Sequence, residues 1–232
     1  MNVASFKGNI RNFGLARTLA DVAIRAANRV VLLKVIKGIR IETVDPAFLK
    51  CNEKYRGMFL DETMLWQFAA DSKNELGHDF LREALAKGDE CYGFLAGTTL
   101  AAYGWYSTKP TDVDILGLSL QFSDQYAYMY KGFTAEDHRG QRLHAIGMTR
   151  ALEAYLARGY RGIVSCVEWN NFASLRSCYR MGYHPFGNIA IAGHGKHYVL
   201  HHDRRCRDYD FRLAPTERSA EQWLQSGVAQ TQ

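Results

Sequence analysis

The chain contains no C-x-x-C pair. Its five cysteines (Cys51, Cys91, Cys166, Cys178 and Cys206) are odd in number and far apart. That scatter argues against a zinc site and against a disulfide framework, and it fits a reducing cytoplasm. No apolar run near the N-terminus approaches the roughly 20 residues of a membrane span. Residues 1–7 lead into no signal-peptide core. Internal repeats and low-complexity tracts are missing as well. The expectation is a cytoplasmic globular protein whose 232 residues, 47% of them hydrophobic, suffice for one large domain with an extension.

Acidic residues are scarce at one end. Residues 1–40 hold eight basic side chains (Lys7, Arg11, Arg17, Arg25, Arg29, Lys34, Lys37 and Arg40) and one acid, Asp21. This local charge of +7 exceeds the +5 of the whole chain, so the remaining 192 residues are net −2. Leu15, Leu19, Val22, Ala26, Val30 and Leu33 recur at three- and four-residue steps, so residues 13–36 are expected to form one amphipathic helix. Arg17, Asp21, Arg25 and Asn28 fall on the opposite side. Two readings stand. Either the apolar face docks on the domain and the basic face is solvated, or the helix is interfacial and touches anionic lipid or an acidic partner. No aromatics interleave these cations to stack bases, so a nucleic-acid partner is not expected.

Periodicity organises the rest. Gly38–Val44 alternates as a strand and Asp45-Pro46 marks a turn. Residues 61–72 and 76–87 are expected to be helical, with Asp61 and Asp71 or Ser72 as caps. Cys91–Gly97 and Leu100–Tyr106 make a hairpin, and 108–115 a polar loop. Gln125–Phe133 is a strand with Tyr126, Tyr128 and Tyr130 on one face, either as core or as pocket lining. A helix over 143–158, a strand over 162–168, a helix over 172–181 and a closing hairpin from His184 to Leu200 follow. A mixed sheet with helices on both faces is implied. The tail from Ala214 is polar.

Two stretches carry the chemistry. From Phe133 to Leu152 a strand ends in an Arg139-Gly140 turn and a helix begins at once, which leaves backbone N–H groups free for phosphate. From Asn171 to Tyr183 runs a short helix with Ser174, Tyr179 and Gly182. In this order and spacing the pair resembles the GCN5-related N-acetyltransferase (GNAT) superfamily. The resemblance covers roughly residues 38–212, flanked by a basic helical extension over 1–37 and a polar tail over 213–232. It implies an α/β (α+β) fold with a mixed, mostly antiparallel sheet between helices, and an acyltransferase that carries an acetyl or longer acyl group from acyl-CoA to a small-molecule or peptide amine.

By that resemblance, Phe133, Thr134, Arg139, Gly140, Gln141, Arg142, Leu143, His144, Asn171 and Ser174 would hold coenzyme A. The family turn has the form Gln/Arg-x-x-Gly-x-Gly/Ala, yet Arg142 and His144 stand where its two glycines belong. Their backbone amides would then cradle the pyrophosphate with added positive charge, or the turn would serve acyl carrier protein beside a membrane. A non-catalytic binding module is the third reading. Backbone N–H groups among Gly132, Phe133 and Thr134 would receive the developing oxyanion. Tyr179 is the expected general acid and Glu168 the expected base. The family tyrosine falls four residues before the closing glycine, where this chain has Cys178, so a one-residue rotation would turn Tyr179 to the core and Cys178 to the donor. Asn171 also reads as a plain helix cap. No metal is expected despite His194, His197, His201 and His202.

Overall fold

The structure, a computed structural model, describes residues 10–11, 14–113, 115–194 and 197–216. Eight strands form one sheet: β1 (Leu32–Ile41), β2 (Tyr55–Leu60), β3 (Glu90–Ala96), β4 (Thr99–Ser107), β7 (Tyr126–Thr134), β8 (Gly162–Glu168), β9 (His184–His194) and β10 (His197–His202). Their order is β10-β9-β1-β8-β7-β4-β3-β2. β5 (Thr111–Val113), β6 (Leu118–Gln121) and β11 (Arg212–Pro215) form a small second sheet in the order β11-β6-β5. The helices are α1 (Leu15–Ala27), α2 (Glu62–Ala69), α3 (His78–Lys87), α4 (Leu143–Ala157) and α5 (Phe172–Arg180). Among the described residues β7–β8 is the one parallel pair, and every other pair is antiparallel. The expected mixed, mostly antiparallel sheet between helices is therefore present.

Strand alternation divides the core. Ala102 and Tyr106 of β4 and Ile163 of β8 pack with Ile146, Met148, Leu152 and Tyr155 of α4. Tyr103 and Trp105 of β4 point the other way, onto Leu65 of α2 and Leu81 and Ala84 of α3. Val164 of β8 also points that way, onto Leu118, Leu120 and Leu213 of the small sheet. The Tyr126/Tyr128/Tyr130 stripe belongs to this second face as core. Its hydroxyls are satisfied by Glu42 (2.6 Å), Cys166 (3.1 Å) and Asp89 (2.7 Å).

The N-terminal segment departs most from expectation. The helix stops at Ala27, because the Asn28 side chain bonds both Ile24 O (2.9 Å) and the Leu33 backbone (N–H 2.7 Å, C=O 2.8 Å). A β-branched, apolar run then enters the sheet as β1, between β8 and β9. The strand expected from Gly38 thus begins at Leu32 and crosses the boundary drawn at residue 37. The faces of α1 are also reversed. Thr18 and Asp21 are buried against the domain, while Leu15, Leu19 and Val22 are exposed. Asp21 causes this, since its Oδ1 accepts from Asn170 Nδ2 at 2.7 Å and both its oxygens face Arg25 Nε at 2.9 Å.

Smaller corrections follow the same logic. Residues 55–60 form edge strand β2, which no clean alternation announced. The expected polar loop over 108–115 contains β5, and β11 runs from the expected domain into the expected tail, each held by pairing with β6. Asp61 caps α2 through Met64 N–H (2.9 Å), whereas Asp71 caps only a short 3₁₀ turn. The remainder of the tail, residues 217–232, lies outside the described residues, as does the tip of the closing hairpin at 195–196.

Candidate functional site

β7 and β8 are paired only from Tyr126↔Gly162 to Met129↔Ser165, although both strands continue. Two features fix the parting. The Ser165 hydroxyl donates to Met129 O at 2.8 Å and satisfies the last carbonyl before the strands separate. On the other edge, the β4–β7 register shifts between Trp105 and Tyr106, leaving Tyr130 as the unmatched residue of a bulge. β8 stays paired to β1 as far as Glu168↔Ile36, so a wedge opens between Tyr130–Thr134 and Cys166–Glu168.

Ala135 N–H bonds Ala101 O at 2.9 Å, toward β4. Alternation then sends the N–H groups of Gly132 and Thr134 into the wedge and that of Phe133 to β4. The Phe133 ring stacks on Tyr103 on the far face, with centroids 5.1 Å apart. Of the three residues considered for an oxyanion, two therefore offer their amides to the wedge.

α4 starts beside this opening without a side-chain cap. Its first backbone bond is Ile146 N–H to Arg142 O at 3.0 Å, so the N–H groups of Leu143, His144 and Ala145 fall outside the helix's own ladder. Gly140 (φ 78°) and Arg142 (φ 61°) both take left-handed conformations. Arg142 thus reproduces the backbone that a motif glycine would supply, at a cost of about 1–3 kcal/mol. Its guanidinium turns away from the helix start, bonding Ala47 O at 3.1 Å and covering the Phe48 ring at 4.8 Å. Arg139 and Gln141 are exposed at the turn, and Arg139 Nε reaches Thr134 O at 3.4 Å.

His144 does not bring the positive charge expected of it. Burial lowers its pKa, so the imidazole is neutral near pH 7. The ring lies against Gly132: a methyl group there would sit 2.6 Å from His144 Cε1. Gly132 marks this close approach of strand and helix. His144, Gly104, Leu143 and Tyr106 border a cavity of about 10 Å³, near the lower limit for one water. The Tyr106 hydroxyl is buried there with no hydrogen-bond partner among the described residues.

On α5, Asn171 is the N-cap and accepts from Ser174 N–H at 3.2 Å. The rotation considered for this helix runs opposite to the expectation of a core-facing tyrosine. Cys178 packs against the α4 core, and burial pushes its thiol up to about 11. Tyr179 is 42% exposed and lines a cleft of about 510 Å³ with Arg17, Lys37, Trp169, Phe172 and Arg180. Glu168, at the end of β8, accepts from Lys34 Nζ at 2.9 Å in an exposed ion pair. Of the histidines, His194 Nδ1 contacts Val30 O at 2.9 Å and His202 Nε2 accepts from Leu213 N–H at 3.2 Å.

No family model and no curated protein matches the chain. Among solved structures it is similar to a GCN5-related N-acetyltransferase-like protein from Streptococcus suis 89/1591, with 12% identity and a TM-score of 0.49 over 79% of this chain and 68% of that one. It is similar to an acetyltransferase of the GNAT family from Colwellia psychrerythraea, with 14% identity and a TM-score of 0.47 over 71% and 56%. A tandem GNAT protein of the clavulanic acid biosynthesis pathway gives 14% and 0.47 over 78% and 58%. The chain thus spans under two thirds of the last two. All three scores lie below 0.5, and the site rests on this chain's own geometry.

Proposed function

We propose that this chain is a GNAT-type acyltransferase that moves an acetyl or longer acyl group from an acyl-CoA thioester to an amine. The observation that carries this reading is the parting of β7 and β8 beside the uncapped start of α4. A helix start with free N–H groups and no competing cap suits a pyrophosphate. The amides of Gly140 to Ala145 would hold it, with Arg139 adding charge at the rim. Bound there, the thioester supplies an activated carbonyl and a thiolate leaving group.

The chain's own residues then have separable tasks. Gly132 and Thr134 N–H point to where negative charge would develop on the carbonyl oxygen, and one such donor is worth about 10²–10³ in rate. Ser165 holds Met129 and so fixes where the wedge begins. His144, with its pKa lowered, packs against Gly132 and adds no charge beside the wedge. Direct attack by a neutral amine held beside the thioester requires no covalent enzyme intermediate. The buried, protonated Cys178 thiol suits that route better than a nucleophilic one.

Titration calorimetry with acetyl-CoA, a long-chain acyl-CoA and free coenzyme A tests the reading. Binding of at least one thioester is expected, weakened about tenfold by Gln141→Glu, which sets a negative charge at the helix start. If no coenzyme A species binds the intact chain, the reading fails.

A further inference from the structure

The outward face of α1 is apolar. Leu15, Leu19 and Val22 are 55%, 50% and 36% exposed, and Ala23 and Ala26 lie exposed on the same side. The stripe continues past the helix in Val30 (72%) and Val31 (40%). Five of the eight exposed large apolar side chains among the described residues fall in this short segment, so the exposure is a patch and not a scatter. The helix is fixed in this orientation by its polar side, through the buried Thr18 and Asp21.

Charge identifies the occupant. Arg11, Arg25 and Arg29 are exposed along the same segment, Arg25 in an ion pair with Asp21. The single acid of residues 1–40, Asp21, is turned inward and 2% exposed, so no carboxylate of this segment shares the outward surface. We propose that the outer face of α1, with Val30 and Val31, docks on an anionic membrane, the helix lying in the headgroup plane. Two copies meeting through this face would set arginines against arginines, whereas anionic headgroups complement them. No helix among the described residues is long and apolar enough to cross a membrane, so the contact is peripheral. The inference does not depend on the proposed acyl transfer.

Co-sedimentation of the full chain with phosphatidylcholine vesicles, with and without phosphatidylglycerol, tests it. Binding to the anionic vesicles is expected to be at least about tenfold tighter than to the neutral ones and to weaken in high salt. The triple variant Leu15→Ser/Leu19→Ser/Val22→Ser should lose about tenfold or more of that binding with unchanged thermal unfolding, since all three side chains are already in solvent. Arg11→Gln/Arg29→Gln should lose mainly the salt-sensitive part. Three results overturn the proposal: no preference for anionic vesicles, binding that survives the triple variant, or a lipid-free dimer that the triple variant dissociates.

Discussion

Burial at the start of α4 holds the His144 imidazole below its ordinary pKa, and burial, with His201 and Arg212 nearby, does the same at His202. A folded-state pKa below the unfolded value of about 6.5 favours the neutral ring. The associated stability is complete above that value and is lost as pH falls through the folded one. Melting temperature should therefore fall as pH drops below about 6.5, and His144→Gln should flatten the slope. An identical slope in the variant would contradict the burial argument. Gly132→Ala should cost about 1–3 kcal/mol by forcing a methyl into the His144 ring. Gly132→Ala/His144→Ala should recover much of that loss in denaturant titrations, and simple additivity would show that the contact is not the cause. Tyr179→Phe should keep kcat within about threefold, because the phenol lies on the α1 side of α5; a loss of about 10² would mean that it reaches the thioester after all. The sequence could name these residues but not their directions. A one-residue rotation on α5 and a left-handed Arg142 depend on what packs beneath them.

At the scale of elements, α1 and β1 show how a short sequence pattern misleads. A run of three- and four-residue steps continued from Leu15 to Leu33, yet Val30 lies in a turn and Leu33 in a strand. Helical periodicity cannot distinguish an apolar helix end from the beginning of a buried strand when β-branched residues follow. The reversal of α1 has a single, long-range cause: one buried carboxylate bound to Asn170 outweighs three exposed apolar side chains. Asp21→Ala should leave Asn170 without its partner and cost about 1.5–3 kcal/mol in the docking of α1. Hydrogen exchange should accelerate across Leu15–Ala27 while the strands stay protected. Unchanged exchange would show that some other contact anchors the helix. By contrast α4, β8 and α5 were readable within a residue or two, because a glycine ends each of the two helices and β8 is a short apolar run that begins at Gly162.

For the whole molecule, the central place of β1 decides what can be removed. β1 pairs with β8 on one side and with β9 on the other. A chain beginning at Gly38 loses the first part of that strand and should not unfold cooperatively, whereas one beginning at Asn28 keeps β1 and should fold. Comparable denaturation of both would separate the extension from the domain as the sequence suggested. Composition, strand and helix periods and the Arg139-Gly140 turn were enough by themselves to determine a mixed sheet, a helix starting at a strand end, and an N-terminal segment rich in positive charge. Those are local properties, set by propensity and by the spacing of apolar residues. The tertiary structure alone decided where β7 and β8 part, which amides face the opening, that His144 packs against Gly132, and that the apolar side of α1 faces outward. Each of these depends on partners distant in sequence: Ser165 for Met129, His144 for Gly132 and Asn170 for Asp21. No local pattern in the chain records which of them will meet.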